Sequence, residues 1–402
     1  MTMKHNPYLV HARTQAEIAA ILDMQGTRQD LLPSIVANGE ALLIHLQDVP
    51  PAAANVLKTE ALAHGGDAAV DMRESVLDGD VSSVLLVATR HQLGRILSSL
   101  RSRTQDMRDL ADEVDTLLEQ REQLQHRREL VCGSHVLPIG QRSLVMGILN
   151  VTPDSFSDGG RYVDVDRAVA HARALVEAGA DMIDIGGEST RPGAEPVELA
   201  EELDRVMPVL RALVQECPVP LSIDTYKSEV AEQAIAAGAH IINDVWGAKR
   251  DRRIAEVAAR YRVPIVLMHN RENRDYSDFF SDMVRDLRES VEIARRAGVP
   301  SEHIILDPGI GFAKSLEQNL EAMRRLDDLV ALGYPVLLGT SRKSMIGRVL
   351  DLPTEERVEG TAATVALGVA KGCQIFRVHD VKEMKRVVTM MDAMLKGVTA
   401  HG

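Results

Sequence analysis

The chain reads as an α/β protein in which a (β/α)8 TIM barrel follows a small α/β domain and a helical linker, and three observations lead there. Residues 144–149 form an uninterrupted apolar run that stops at Asn150 and gives way to the polar loop TPDSFSDGG. The same grammar, an apolar run ending in a polar, non-repeating cluster with an amphipathic helix after it, recurs seven more times. The runs are short and continuously apolar, as parallel strands buried on both faces are. Chemistry delivered at one end of every strand is the arrangement of a barrel whose site is built from the loops after its strands.

An α/β barrel takes about 250 residues, so a chain of 402 has room for a further domain. Residues 1–103 alternate helix (15–24), strand (41–46), helix (52–64), strands (67–70 and 83–88) and helix (92–100), which describes a small accessory α/β domain. Its polar residues Asp67, Asp71, Arg73 and Glu74 have no ligand spacing, so a structural or oligomeric role is expected before a binding one. Residues 104–130 are a charge-rich helical linker. In it Met107, Leu110, Val114, Leu117 and Leu124 step by threes and fours, with Arg121 interrupting. The stripe spans about two and a half heptads, and reads equally as a coiled-coil segment or as one packed amphipathic helix.

The barrel occupies residues 131–402. Residues 131–137 with the turn Pro138-Ile139-Gly140 read as a hairpin closing its N-terminal end. Strands follow at 144–149, 182–185, 219–223, 240–242, 264–268, 303–306, 335–338 and 374–378. Helices are expected over 166–177, 198–215, 228–237 and 358–371, and Gly179, Gly238, Gly298, Gly333 and Gly372 stand where a helix ends on a left-handed residue.

Composition excludes several classes. A net charge of −13 is the wrong sign for a general nucleic-acid binder. The apolar fraction of 45% suits a globular core, and no apolar run approaches the ~18 residues of a membrane span. The opening MTMKHNPYLVHAR lacks the apolar stretch and cleavage site of a secretory signal, so a cytoplasmic protein without membrane partners is expected. Cys132, Cys217 and Cys373 are odd in number and far apart, as structural thiols are.

The strand ends carry Asn150; Thr190, Arg191 and Pro192; Asp224; Asn243 and Asp244; Met268 and His269; Asp307; Lys343 and Ser344; and Arg377 and His379. A lone Asp after a barrel strand often caps the next helix, and Asp244 is a candidate for that role. Capping does not explain the sorting of the others. Asp224, Asn243, Asp307 and Lys343 offer acceptors and donors for a flat heterocycle, whereas Asn150, Arg191, Arg377 and His379 suit a polyphosphate, which guanidinium groups grip bidentately. GIGFAKS looks like a phosphate loop but lacks the GxxxxGK[ST] spacing. No histidine pair has metal-ligand spacing, and magnesium arriving with a pyrophosphate fits better than a tightly held transition metal.

The segments NVTPDSFSDGG, IGGESTRPGA, SIDT, IINDV, LMHN, DPGIGFAKS, SRKSM and RVHDV occur in that order. With them, residues 144 to about 395 resemble the dihydropteroate synthases. The resemblance implies a transferase of folate biosynthesis that condenses 6-hydroxymethyl-7,8-dihydropterin pyrophosphate with p-aminobenzoate. It implies that Asp224, Asn243, Asp307 and Lys343 hold the pterin over Met268, that Asn150 meets magnesium and pyrophosphate, and that Arg377 and His379 bind the pyrophosphate. Asn150, Asp224, Lys343, Arg377 and His379 are then the catalytic set. Ser155, Phe156, Thr190, Arg191, Pro192, Phe312 and Ser344 match positions around p-aminobenzoate and its loops. Mg2+ as cofactor, sulfonamide sensitivity and a homodimer or higher homo-oligomer are further implications. Ala313 stands where relatives usually carry Gly, beside Phe312. A pterin-binding methyltransferase and a catalytically silent pterin-binding protein are the alternatives.

Overall fold

The computed structural model describes residues 15–25, 30–70, 82–151, 161–188 and 196–396. The chain divides into two compact units, Met1–Leu117 and Leu118–Gly402, with the division inside one helix.

The first unit runs α1 (Gln15–Met24), α2 (Leu32–Gly39), β1 (Ala41–Val49), α3 (Pro51–Ala63), β2 (Asp67–Val70), β3 (Ser82–Thr89) and α4 (Arg90–Arg101), and ends in α5 (Gln105–His126), which continues into the second unit. The strands form an antiparallel sheet in the order β1-β3-β2. Strand side chains alternate between faces, so Leu42, Ile44, Val84 and Leu86 are buried while Leu43 is 65% exposed. Leu57 of α3 and Leu93, Ile96, Leu97 and Leu100 of α4 supply the other side of this core. A capping box, in which Thr89 and Gln92 bond each other's backbone, starts α4. The sequence reading omitted α2, whose eight residues include Pro33 and Gly39. Of the α5 stripe, Met107, Val114 and Leu124 are buried and Leu110 and Leu117 half-buried.

The second unit opens with the hairpin β4 (Leu130–Cys132) and β5 (His135–Leu137). There follow β6 (Leu144–Asn150), α6 (Arg161–Glu177), β7 (Met182–Gly186), α7 (Leu199–Val214), β8 (Leu221–Asp224), α8 (Ser228–Ala236), β9 (Ile241–Asp244) and α9 (Arg253–Tyr261). The rest is β10 (Ile265–Met268), α10 (Phe279–Arg296), β11 (Ile304–Asp307), α11 (Leu316–Arg324), α12 (Leu326–Val330), β12 (Leu337–Leu338), α13 (Ser344–Leu350), α14 (Val358–Ala370), β13 (Ile375–Val378) and α15 (Val381–Lys396). Strands β6 to β13 form one parallel sheet of eight, in the order β11-β10-β9-β8-β7-β6-β13-β12. A single parallel bridge, Leu306↔Val336, brings β11 to the segment entering β12 and closes the ring. The five glycines expected to end helices all have left-handed φ, between 86° and 113°.

The hairpin turns at Gly133 and Ser134, and Pro138-Ile139-Gly140 comes after its second strand instead of forming its turn. Leu130, Cys132, Leu137 and Ile139 pack with Leu144, Met146, Met182, Ile241, Val266, Ile305, Leu337 and Ile375 in one buried cluster. These latter residues lie at the starts of the strands, so the hairpin stoppers the N-terminal end of the barrel with apolar side chains. Ile139→Ala should therefore lower the unfolding free energy of the barrel by about 2–5 kcal/mol, measured by urea denaturation; a loss within experimental scatter would mean that the stopper is not part of the core.

Candidate active site

The stopper fixes which side chains point inward, and so builds the site. Side chains alternate along a strand, and the residue two beyond an inward-facing one faces inward again. Met182 therefore leads to Asp184, Ile241 to Asn243, Val266 to Met268, Ile305 to Asp307 and Ile375 to Arg377, while Met146 leads through Ile148 to Asn150. Asp224 follows Ser222, which pairs in register with Asp184. A polar layer thus sits on an apolar one at the C-terminal ends of the strands. Asp184, Asp224, Asn243, Met268 and Asp307 are buried, and Asn150 and Arg377 half-buried.

Arg377 organises this layer. Its Nε donates to Asp184 Oδ2 at 2.6 Å and its Nη2 to Asp224 Oδ2 at 2.6 Å. Asn243 Nδ2 donates to the same Asp184 oxygen at 2.9 Å. The other oxygens, Asp184 Oδ1 and Asp224 Oδ1, are buried with no hydrogen-bond partner among the described residues, as is Ser222 Oγ. Orphaned acceptors at the mouth of a barrel suit a ligand edge that brings N–H donors. The sequence sorted Arg377 with an anionic tail; the guanidinium also touches Asp224, a carboxylate assigned to the heterocycle.

Asp307 Oδ1 accepts from Gly309 N at 2.7 Å. Gly309 has φ +65°, and a Cβ there would stand 2.0 Å from His269 O, so only glycine fits this turn. Lys343 Nζ lies 4.3 Å from the centroid of the Phe312 ring, and Ser344 opens α13. His379 Nδ1 is 2.9 Å from Ser341 Oγ, which also accepts from His379 N. Asp244 does not cap a helix: its two oxygens accept from Trp246 N and Ala248 N, closing a turn well before α9. Ser155, Phe156, Thr190, Arg191 and Pro192 lie outside the described residues.

Burial pushes Asp224 up to about 7 against the pull of Arg377, with Asp184 adding to the rise. Burial likewise takes Asp307 up to about 6, opposed by the Gly309 N–H and by Lys343. The charged form of each carboxylate is costly in this pocket and is favoured by a donor from a ligand.

Sequence reading missed Asp184 and Ser222. Asp184 interrupts the aliphatic run Met182-Ile183-Ile185 on an inward position, and that interruption was the available signal. Among the described residues no cluster of three or more His, Cys, Asp or Glu side chains is arranged for a metal. A cavity of about 230 Å³ between α6 and α7, lined by Arg173, Glu177, Leu213 and Cys217, holds none of the strand-end residues and has no chemistry to match.

Comparison with known proteins agrees with the barrel fold. The profile of the family described as "Pterin binding enzyme" matches residues 146–379. Over 263 residues the chain is 61% identical to the dihydropteroate synthase of Bacillus subtilis strain 168, covering 65% of this chain and 92% of that one. The crystal structure of a Clostridium difficile dihydropteroate synthase, obtained in the presence of pteroic acid, is 50% identical with a TM-score of 0.63, covering 64% of this chain and 99% of that one. A Xanthomonas albilineans dihydropteroate synthase in complex with 7,8-dihydropteroate is 42% identical with a TM-score of 0.62, covering 67% and 100%.

A carboxyl whose folded pKa lies above its unfolded value contributes stability that is full at low pH and is lost as pH rises through the folded pKa. Relative to Asp224→Asn, which mimics the protonated acid, the parent protein should lose stability by on the order of 1 kcal/mol per pH unit between about pH 5 and 7. Urea denaturation across that range checks this. Parallel curves for the two proteins would show that Asp224 stays ionised against Arg377 throughout.

Proposed function

The chain belongs to the dihydropteroate synthases, a branch of the pterin-binding enzymes, and on that premise we infer that its barrel rim joins 6-hydroxymethyl-7,8-dihydropterin pyrophosphate to the amine of p-aminobenzoate. The observation that carries the assignment of roles is the pair of orphaned carboxylate oxygens beside Asn243, with Asp307 and Lys343 across the barrel mouth. Asp224 and Asp307 accept ring N–H groups, Asn243 and Lys343 complete the heterocycle's edge, and Met268 lies beneath it. Asn150, Arg377 and His379 take the pyrophosphate, and Phe312 and Ser344 border p-aminobenzoate with Ser155, Phe156, Thr190, Arg191 and Pro192.

The C–O bond between the exocyclic methylene and the pyrophosphate breaks first, its electron pair leaving with the phosphate. The electron-rich reduced pterin carries the positive charge that develops, and the buried carboxylates favour it electrostatically. The arylamine nitrogen then forms the C–N bond and gives up a proton. An arylamine is neutral at pH 7 and needs no strong base to attack. Arg377 bonds Asp224 and is assigned to the leaving group, and would thereby link ring binding to departure of the tail. Magnesium, when bound, would be held on the protein side by Asn150, half-buried at the end of β6, and would offset the leaving group's charge.

Sulfonamides, as analogues of p-aminobenzoate, are expected competitors. A homodimer through the barrel is supported by the exposed apolar residues Val349, Leu350, Leu367, Met390, Met394 and Leu395 on α13, α14 and α15. No helix among the described residues is long and apolar enough to cross a membrane, and a cytoplasmic location is proposed with the folate-pathway role. Residues 1–103 are assigned an accessory role, 104–130 the link and 131–402 the catalysis.

The purified protein should form 7,8-dihydropteroate and release pyrophosphate only with both substrates and magnesium, read by a coupled pyrophosphate assay. Product-free incubation with all three would refute the function.

A chain shortened to begin at Leu118 should keep activity within about tenfold of the parent, equivalent to less than ~1.4 kcal/mol of transition-state stabilisation. A folded but inactive shortened chain would give the N-terminal unit a part in the active site.

A further inference from the structure

A second buried charge cluster lies behind the rim, and the chemistry above leaves it unused. Lys314 is 4% exposed. Its Nζ donates to Gly309 O at 3.0 Å and to Phe312 O at 3.1 Å, and stands 2.7 Å from His269 Nδ1. Burial and the neighbouring Lys314 push His269 down to about 4, so the ring is neutral. Its Nδ1 then accepts from the ammonium, and its Nε2 carries the proton shared with Asp286 Oδ2 at 3.1 Å. Asp286 in turn accepts from Arg271 Nε at 2.5 Å and faces Lys249 at 3.6 Å. An ammonium has three protons and here finds three acceptors.

Two of those acceptors are the ends of one turn. Residues 308–313 run from Asp307 to the ring of Phe312, with positive φ at Gly309, Gly311 and Ala313. Asn319 Oδ1 holds Gly311 N at 2.6 Å and Tyr276 OH donates to Ala313 O at 2.9 Å. Phe312 N donates to Gly309 O at 3.1 Å across the turn, and of the side-chain braces Lys314 alone reaches both of these residues. An apolar residue would fill the same volume without desolvating a charge, so packing does not explain a lysine here.

We propose that Lys314 is a positioning residue for the arylamine substrate: its three bonds hold the 308–313 turn in the one conformation that sets the Phe312 ring against Lys343. This rests on the function inferred above. The ammonium is faced by Asp307 from β11, Lys343 from the loop before α13, His269 and Arg271 from the loop after β10, and Asp286 from α10, with Lys249 and Tyr276 beyond them. Burial takes Lys314 down to about 7. Above that pH a neutral amine has two protons for three acceptors, and the turn loosens.

The test uses the full chain. In the parent, KM for p-aminobenzoate should rise severalfold between about pH 6.5 and 8.5, whereas KM for the pterin pyrophosphate should not rise, because Asp224 and Asp307 become more fully ionised acceptors over that range. Lys314→Met should raise KM for p-aminobenzoate by about tenfold, abolish that pH dependence and change KM for the pterin by less than about threefold. Hydrogen exchange in a peptide covering 308–313 should be faster in the variant without any substrate. Equal changes in both KM values, or unchanged kinetics with only a lower melting temperature, would reduce Lys314 to a folding role. If the variant does not fold, the parent's profile decides, and a flat KM for p-aminobenzoate overturns the proposal. A parent that makes no product refutes the function instead, and exchange in 308–313 that is no faster in the variant then overturns the turn-holding role by itself.

Discussion

The Arg377 guanidinium, held between Asp184 and Asp224, is the interaction on which the rest of the rim depends. Charges taken out of water are stable only when paired and hydrogen-bonded, and the inward positions leave few ways to pair them. Arg377 comes from the last strand and the two carboxylates from the second and third, so the cluster bonds across the barrel opening as well as around it. Asn243 shares the Asp184 oxygen with Arg377, and the remaining oxygens, Asp184 Oδ1 and Asp224 Oδ1, stay buried without a hydrogen-bond partner among the described residues. A ligand that donates to them would complete a pattern the fold has left unfinished at some cost to its own stability.

That cost is bearable because the layer beneath is wholly apolar. The hairpin before the first barrel strand and the turn that follows it fill the other end of the ring with Leu130, Cys132, Leu137 and Ile139. Division of labour along the barrel axis, packing below and charge above, keeps the stabilising and the reactive residues on the same strands only two positions apart.

Most of this was legible because the reactive residues end apolar runs. Asn150, Asp224, Asn243, Asp307 and Arg377 stand out where an aliphatic stretch stops or is broken near its end. Asp184 escaped notice because aliphatic residues continue after it, and its inward position becomes clear only once the stopper fixes the register. Lys314 belongs to a recognised segment, but its partners His269 and Asp286 come from another strand end and from a helix, a convergence no local pattern reports. The misplaced hairpin turn has a plain cause: Pro138-Ile139-Gly140 carries stronger turn residues than Gly133-Ser134, yet the pairing of Leu130 with Leu137 decides the matter. In the N-terminal unit, alternation along β1 and β3 was readable, whereas the short α2 offered too little periodicity.

The ring closes through one bridge, Leu306↔Val336, beside a strand of two residues, whereas its other joints carry two to five paired positions each. A hoop with one thin weld yields there before anywhere else. Asp307 stands on one side of the weld, one residue past Leu306, and the chain that leads to Lys343 and His379 stands on the other. A shift at that joint would alter the gap between those two groups, while Asp184, Asp224 and Asn243 stand on strands paired at three or four positions each and would keep their spacing. The ring is thus unevenly fastened, with Asp184, Asp224 and Asn243 on its well-paired arc and the gap between Asp307 and Lys343 at its single bridge.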